Sequence, residues 1–150
     1  LKKPNIKLHM IGKLQKNKVK IAVNLFDYIH SVDSEKLAKK ISDEQIKIKK
    51  NIKIFIQVNI GNEDQKSGIN KKKLNGLVSY CKKIDLEVIG FMCIPPANSD
   101  TSSYFEEMSL LSKNFGFLEL SMGMSSDYLK AFKNAATYLR IGSSIFGQRF

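Results

Sequence analysis

Two glycine- and serine-rich stretches hold the residues best suited to chemistry: Ser121-Met122-Gly123-Met124-Ser125 and Arg140-Ile141-Gly142-Ser143-Ser144-Ile145-Phe146-Gly147. Glycine beside serine lets backbone N–H groups come close to an anion while a hydroxyl adds a further donor. Met124-Ser125-Ser126-Asp127 reads as the opening of a helix after a strand that Gly123 breaks. The first N–H groups of such a helix are unpaired and its dipole favours negative charge. Gly142 and Ser143 offer a second pair of amides and a hydroxyl. Taken singly, each motif reads equally well as a helix cap or a turn. Arg140 sharpens the reading. It is one of only two arginines, with Arg149, and it stands in a short apolar run where a guanidinium needs a partner or water. Beside a phosphate cradle it is placed to hydrogen-bond an aromatic ring nitrogen; a structural salt bridge is the plainer alternative.

These residues need a scaffold, and hydrophobic periodicity supplies one. Strands are expected over 6–12, 28–32, 52–60, 86–94, 117–122 and 138–141. Helices are expected between them, over 17–26 with Asn17 as cap, from Asp33 or Ser34 through Gln45, over 70–83, 101–114 and 125–136, with a terminal turn after Gly147. Alternating β and α units imply a parallel sheet with right-handed crossovers. Six such units fit either an open doubly wound sheet or an eight-stranded barrel lacking two. In a barrel, ligands sit at the carboxyl ends of the strands and phosphate lies against the loops after the last two, where both glycine-serine stretches fall.

The net charge of +11 invites a nucleic-acid function, but nearly all of it is lysine spread along the chain rather than arginine in a block with interleaved aromatics. A solvated lysine-rich surface is the better account, and no nucleic-acid partner is expected. No apolar run approaches the ~18 residues of a membrane span. Cys81 and Cys93 lack metal-ligand spacing and read as buried thiols. His9 and His30 have no partner at helical spacing and do not suggest a metal. Without a disulfide framework or a signal segment, the cytoplasm is the expected location.

Five ordered strings resemble one family. His9-Met10-Ile11-Gly12-Lys13-Leu14-Gln15-Lys16-Asn17-Lys18 resembles HxIGxLQxNK. Gln57-Val58-Asn59-Ile60 followed by Lys66-Ser67-Gly68 resembles QVNxxxExxKSG, and Gly90-Phe91-Met92-Cys93-Ile94-Pro95 resembles GLMxIP. Leu120 to Asp127 resembles LSMGMSxD, and Arg140 to Gly147 resembles RIGxxIFG. Together they cover nearly the whole chain, and the family is that of the pyridoxal phosphate homeostasis proteins, whose barrel is similar to the amino-terminal domain of alanine racemases.

The resemblance implies a (β/α)8 TIM-type barrel that binds pyridoxal 5′-phosphate without established turnover, carrying and buffering the cofactor in vitamin B6 and amino-acid homeostasis. It implies that Ser125, Gly142 and Ser143 hold the phosphate, that Arg140 faces the pyridine nitrogen, and that Met124, Asn17 and Asn59 belong to the site. An arginine there would keep that nitrogen unprotonated and weaken the ring as an electron sink. PLP-dependent apoenzymes are the implied recipients, and the full-length form is expected to be a monomer. A racemase-type enzyme on the same barrel is the alternative, but it needs a second catalytic base from a further domain.

Two departures stand out. Where the family has glycine two positions before the threonine matched by Thr137, this chain has Ala135. Alanine tolerates positive φ poorly, so that helix end is expected to adopt another turn. The family's AVSKTKP-like string, which holds the lysine joined to the cofactor aldehyde, and its ENYxQE-like string do not occur. The chain, which starts at Leu1, is therefore expected to comprise strands three to eight of the barrel, with two βα units absent and an exposed sheet edge that folds poorly alone.

Overall fold

A computed structural model describes residues 5–148. Six strands, β1 (His9–Met10), β2 (Tyr28–Val32), β3 (Lys53–Gln57), β4 (Val88–Met92), β5 (Glu119–Met124) and β6 (Tyr138–Arg140), pair in that order, all in parallel. The helices between and after them are α1 (Val19–Leu25), α2 (Glu35–Lys47), α3 (Leu74–Lys83), α4 (Thr101–Asn114), α5 (Tyr128–Lys133) and α6 (Ser143–Phe146). Single 3-10 turns, Lys16–Lys18 and Lys71–Lys73, lead into α1 and α3.

The strand order decides between the two architectures. A doubly wound sheet reverses its order at a switch point, whereas this one runs without reversal. It also curls. The ring of His9 on β1 lies 5.8 Å from that of Tyr138 on β6, so the first and last strands meet across a common interior. The fold is a barrel wall of six strands with its helices outside.

Alternation along the strands sorts the side chains. Ile29, Ile54, Ile56, Phe91, Leu120 and Met122 are buried in the layer shared with Val23, Leu37, Ile41, Leu77 and Phe105 of the helices. Burying each such side chain contributes about 1.5–3 kcal/mol. Gly90 is a steric requirement: a Cβ there would lie 1.9 Å from the Glu119 carbonyl oxygen of the neighbouring strand.

The helix ends follow local chemistry. The Ser34 hydroxyl accepts from Leu37 N–H, and Asp100 Oδ1 accepts from Ser102 N–H, so α2 and α4 start where a capping residue permits. Asn70 Oδ1 likewise accepts from Lys72 N–H. Asn17 is not a cap: it lies inside the first 3-10 turn, and α1 begins after Lys18 without a side-chain cap. At its other end, Lys50 Nζ donates to the Val23 and Phe26 carbonyls at 2.9 and 2.6 Å.

Three expectations change. Gly123 does not end its strand; β5 continues through it to Met124, with φ +93° and a register shift between Ser121 and Met124. The helix that follows begins at Tyr128 instead of Ser125. Ala135 keeps the left-handed conformation at φ 66° in place of another turn. Here the closing bonds, Ala135 N–H to the Phe132 carbonyl and Ala136 N–H to the Ala131 carbonyl, hold the backbone against the Cβ penalty.

Candidate functional site

The carboxyl ends of the strands open into a cavity of about 1050 Å³. His9 and His30, Met124 and Ser125, and Arg140, Gly142 and Ser143 are among the residues that line it. A hollow of about 480 Å³ adjoins it and shares Ile94, Met124, Ser126 and Arg140, so Arg140 borders both.

Parallel pairing of β5 with β6 puts Met124 in register with Arg140, and this brings the two glycine-serine stretches side by side. Asp127 closes the first loop: its Oδ1 accepts from Met124 N–H at 2.7 Å, and its own N–H donates to the Met124 carbonyl at 3.1 Å. Ser125 is thereby turned toward the second loop, where its Oγ accepts from Gly142 N–H and Ser144 N–H, each at 3.2 Å. Of the two sets of amides expected from the sequence, the converging ones come from the Gly142–Ser144 turn, while the first helix start lies later, at Tyr128.

No packing neighbour requires Gly142 to be glycine, although its ψ of −84° lies outside the usual α region. Its φ is −120°, and a Cβ would meet nothing within 4 Å. The space a side chain would fill is the space an anion needs to reach those amides. Ser143 is exposed on the same turn. A Ser125 hydroxyl held by two amides, with its own O–H left to donate, and open room beside a glycine fit a phosphate.

Arg140 makes no ion pair among the described residues. One Nη donates to Ser121 Oγ and the other to the Cys93 carbonyl, both at 2.8 Å. Burial lowers its pKa, with Cys93 and Asp127 opposing, yet a guanidinium stays protonated at any ordinary pH. Its remaining N–H groups are available to a ring nitrogen in the cavity. The Cys93 thiol beside it is pushed up to about 12 by burial, against the pull of Arg140, so it is no thiolate nucleophile.

The interior behind the arginine is where the structure adds most. His30 Nδ1 lies 2.8 Å from Ser121 Oγ and His30 Nε2 lies 2.9 Å from His9 Nδ1. His30 stacks on Phe55 and His9 on Tyr28, with ring centroids 4.3 and 4.2 Å apart. Burial, then the charges of His9 and Arg140, lower the His30 pKa to about 3, so this imidazole is neutral. His9 is also lowered, mainly by burial, against Asp27. Tyr138, edge-on to Phe55, is raised to about 12 by burial and then by Tyr28. The sequence signal for this network was weak: both histidines stand on strands expected from periodicity, but their pairing depends on sheet register.

Of the residues singled out in the sequence, Ser125, Arg140, Gly142, Ser143 and Met124 come together at the cavity. Asn17 and Asn59 do not line it. The Asn59 amide is spent within its own loop, donating to the Glu63 carbonyl at 2.8 Å and accepting from Glu63 N–H at 3.1 Å. No lysine is among the lining residues. In the adjoining hollow Lys66 pairs with Glu63 and Lys130 with Asp100. Cys81 and Cys93 are buried free thiols. Among the described residues no cluster of His, Cys, Asp or Glu is arranged to hold a metal ion, and no helix is long and apolar enough to cross a membrane.

Comparison with known proteins agrees with this geometry. The sequence profile of the alanine racemase N-terminal domain matches residues 2–149. A protein of Aquifex aeolicus named pyridoxal phosphate homeostasis protein is 35% identical, the alignment covering 99% of this chain and 70% of that one. Its Escherichia coli K12 namesake is 33% identical, with 94% and 64% covered. The chain thus spans about two thirds of the length of these relatives. Among solved structures, PipY of Synechococcus elongatus PCC7942 with PLP bound superposes with a TM-score of 0.88 at 30% identity, covering 96% of this chain and 72% of PipY. Alanine racemase of Clostridium difficile 630 shares the fold at a TM-score of 0.72 and 13% identity, with 97% and 41% covered.

Proposed function

The chain belongs to the alanine racemase N-terminal domain family, and within it to the pyridoxal phosphate homeostasis proteins; from that premise we propose that it binds pyridoxal 5′-phosphate and serves as a carrier and buffer of the cofactor rather than as an enzyme. The carrying observation is the cradle at Ser125, where Gly142 and Ser144 amides converge, with the Arg140 guanidinium in the same cavity. When bound, the cofactor supplies an electrophilic aldehyde on a pyridine ring. The Ser125 and Ser143 hydroxyls grip the phosphate in the room that Gly142 leaves open, the Gly142 and Ser144 N–H groups hold Ser125 in place, and Met124 lines the wall. Arg140 donates to the ring nitrogen and, being a permanent donor, leaves that nitrogen unprotonated. An unprotonated ring is a poor electron sink, which favours keeping the cofactor over turning substrate.

On this reading the six strands are the third to eighth of the barrel, supported by the contact of β1 with β6 across the interior. PLP-dependent apoenzymes are then the recipients, and the cytoplasm is the place of action. Asn17 and Asn59 are assigned to the structure around the site, not to the cofactor.

Titration of the protein with pyridoxal 5′-phosphate and with pyridoxal, followed by absorbance, tests the reading. Saturable binding of the phosphate form, at least about tenfold tighter than pyridoxal and weakened in Ser125→Ala, is expected. Equal affinity for the two would overturn the assignment of the cradle.

A further inference from the structure

From Arg140 runs a line of hydrogen bonds through the interior: Arg140, Ser121, His30, His9. Its direction can be worked out from the groups alone. A guanidinium only donates, so Ser121 Oγ accepts from Arg140. Ser121 is fully buried, and its hydroxyl proton must go to an acceptor or remain unsatisfied at a cost. His30 Nδ1, 2.8 Å away, is the acceptor in reach. A neutral imidazole that accepts at one nitrogen carries its proton on the other, so His30 Nε2–H donates to His9 Nδ1. His9 then holds its own proton on Nε2. The opposite direction would leave Ser121 accepting twice with its hydroxyl proton unspent.

We propose that Ser121, His30 and His9 are positioning residues for Arg140, forming a one-way hydrogen-bond chain that fixes the guanidinium where its remaining N–H groups face the ring nitrogen. The second anchor, the Cys93 carbonyl, sits just after β4, so the guanidinium is pinned to β5, the strand paired with its own, and to the end of β4 beyond it. The assignment of the ring nitrogen rests on the cofactor reading above; the direction of the chain does not.

The protein has only two histidines and two arginines, so nitrogen-15 NMR can read each ring and guanidinium without ambiguity. His30 should show Nδ1 unprotonated and Nε2 protonated, and His9 the same. A His30 proton on Nδ1 would overturn the chain. In the cofactor titration, Ser121→Ala and His30→Leu should weaken pyridoxal 5′-phosphate binding roughly three- to tenfold. His30→Asn, whose amide oxygen can stand where Nδ1 stands and accept from Ser121, should bind within about twofold of the unsubstituted protein by the same reasoning. Wild-type affinity in His30→Leu, or loss in His30→Asn equal to that in His30→Leu, would overturn the positioning role. Should the unsubstituted protein not bind the cofactor, the reading of the cradle fails but the chain is still decided. Its Arg140 Nη groups should then give separate, slowly exchanging signals that merge in Ser121→Ala, and signals already merged in the unsubstituted protein would refute it.

Discussion

On the outer face of the sheet, Ile29, Ile54, Ile56, Phe91, Leu120 and Met122 press against the helices as a continuous aliphatic and aromatic layer. One residue along on β2, β3 and β5, the inner face presents His30, Phe55 and Ser121, which meet Tyr138 and Arg140 of β6 through ring contacts and hydrogen bonds of 2.8 Å. The two faces share strands, register and burial, and differ in what holds them. The outer layer is held by area, which has no direction, so exchanges of similar volume are tolerated there. The inner layer is held by donors and acceptors in a fixed sense, so a change of equal volume removes a partner that nothing nearby replaces.

Phe91→Ala is the strongest way to press on this distinction. Phe91 is fully buried and meets Phe115 and Phe117 edge-on at 5.3 and 5.1 Å. Its truncation should cost about 3–5 kcal/mol in urea unfolding. Cofactor affinity of the protein that remains folded should not change. A large affinity loss without a stability loss would erase the contrast between the faces.

The inner-face counterpart is Arg140→Met. Charged hydrogen bonds contribute about 1.5–3 kcal/mol, so pyridoxal 5′-phosphate should bind roughly ten- to a hundredfold more weakly. Stability should move far less than for Phe91→Ala, because the desolvation cost of a buried charge disappears together with its two bonds. An Arg140→Met protein that unfolds as readily as Phe91→Ala would make the arginine a structural pillar instead.

How far each face can be read from the sequence follows from the same contrast. The outer layer is legible, because period-two alternation and helical spacing report burial directly: α4 runs from Thr101 to Asn114 as periodicity implies, and β2 from Tyr28 to Val32. The inner network is not legible. His9 and His30 are 21 residues apart, and Ser121 a further 91 from His30, so their meeting depends on sheet register and barrel curvature. The cradle is legible in its residues and in the amides of the Gly142 turn, but not on the Ser125 side. Helix starts were assigned to Ser125 and Asn17, yet Asp127 ties off the first and a 3-10 turn absorbs the second. Short pieces such as α6, four residues long, have too little periodicity to announce themselves.

Acid unfolding sharpens the comparison further. The His30 pKa is about 3 in the fold against 6.5 for a free imidazole. Between those values the unfolded chain binds a proton that the native protein refuses. Stability is therefore retained above pH 6.5 and falls as pH drops, by about 1.4 kcal/mol per pH unit for one such group. Glu44 and Asp100, whose pKa values are lowered from 4.5 and 3.8 by Lys47 and Lys130, weaken the fold only below those values. The window from 4.5 to 6.5 thus belongs to the histidines. His9 contributes in the same sense, so His30→Asn should reduce the slope there without abolishing it. An unchanged slope would show that His30 accepts a proton in the folded state.

Ala135 lies outside both faces and tests whether the comparison has a neutral ground. It ends α5 at φ 66°, a conformation that costs a residue with a Cβ, while Ala135 N–H and Ala136 N–H close the helix on the Phe132 and Ala131 carbonyls. Ala135→Gly removes the Cβ and keeps both bonds. The larger freedom of glycine in the unfolded chain works against the gain, but where native φ is positive the relief of strain is the greater term. A net stabilisation of about 0.5–1 kcal/mol is expected in urea unfolding, with cofactor affinity unchanged. Thr137, two residues on, ties this turn to β5 through its hydroxyl, which accepts from Leu120 N–H at 2.8 Å. A change in affinity on Ala135→Gly would mean that strain in the turn reaches Ser121 and Arg140 through that bond, and the outer turn would then count as part of the inner network.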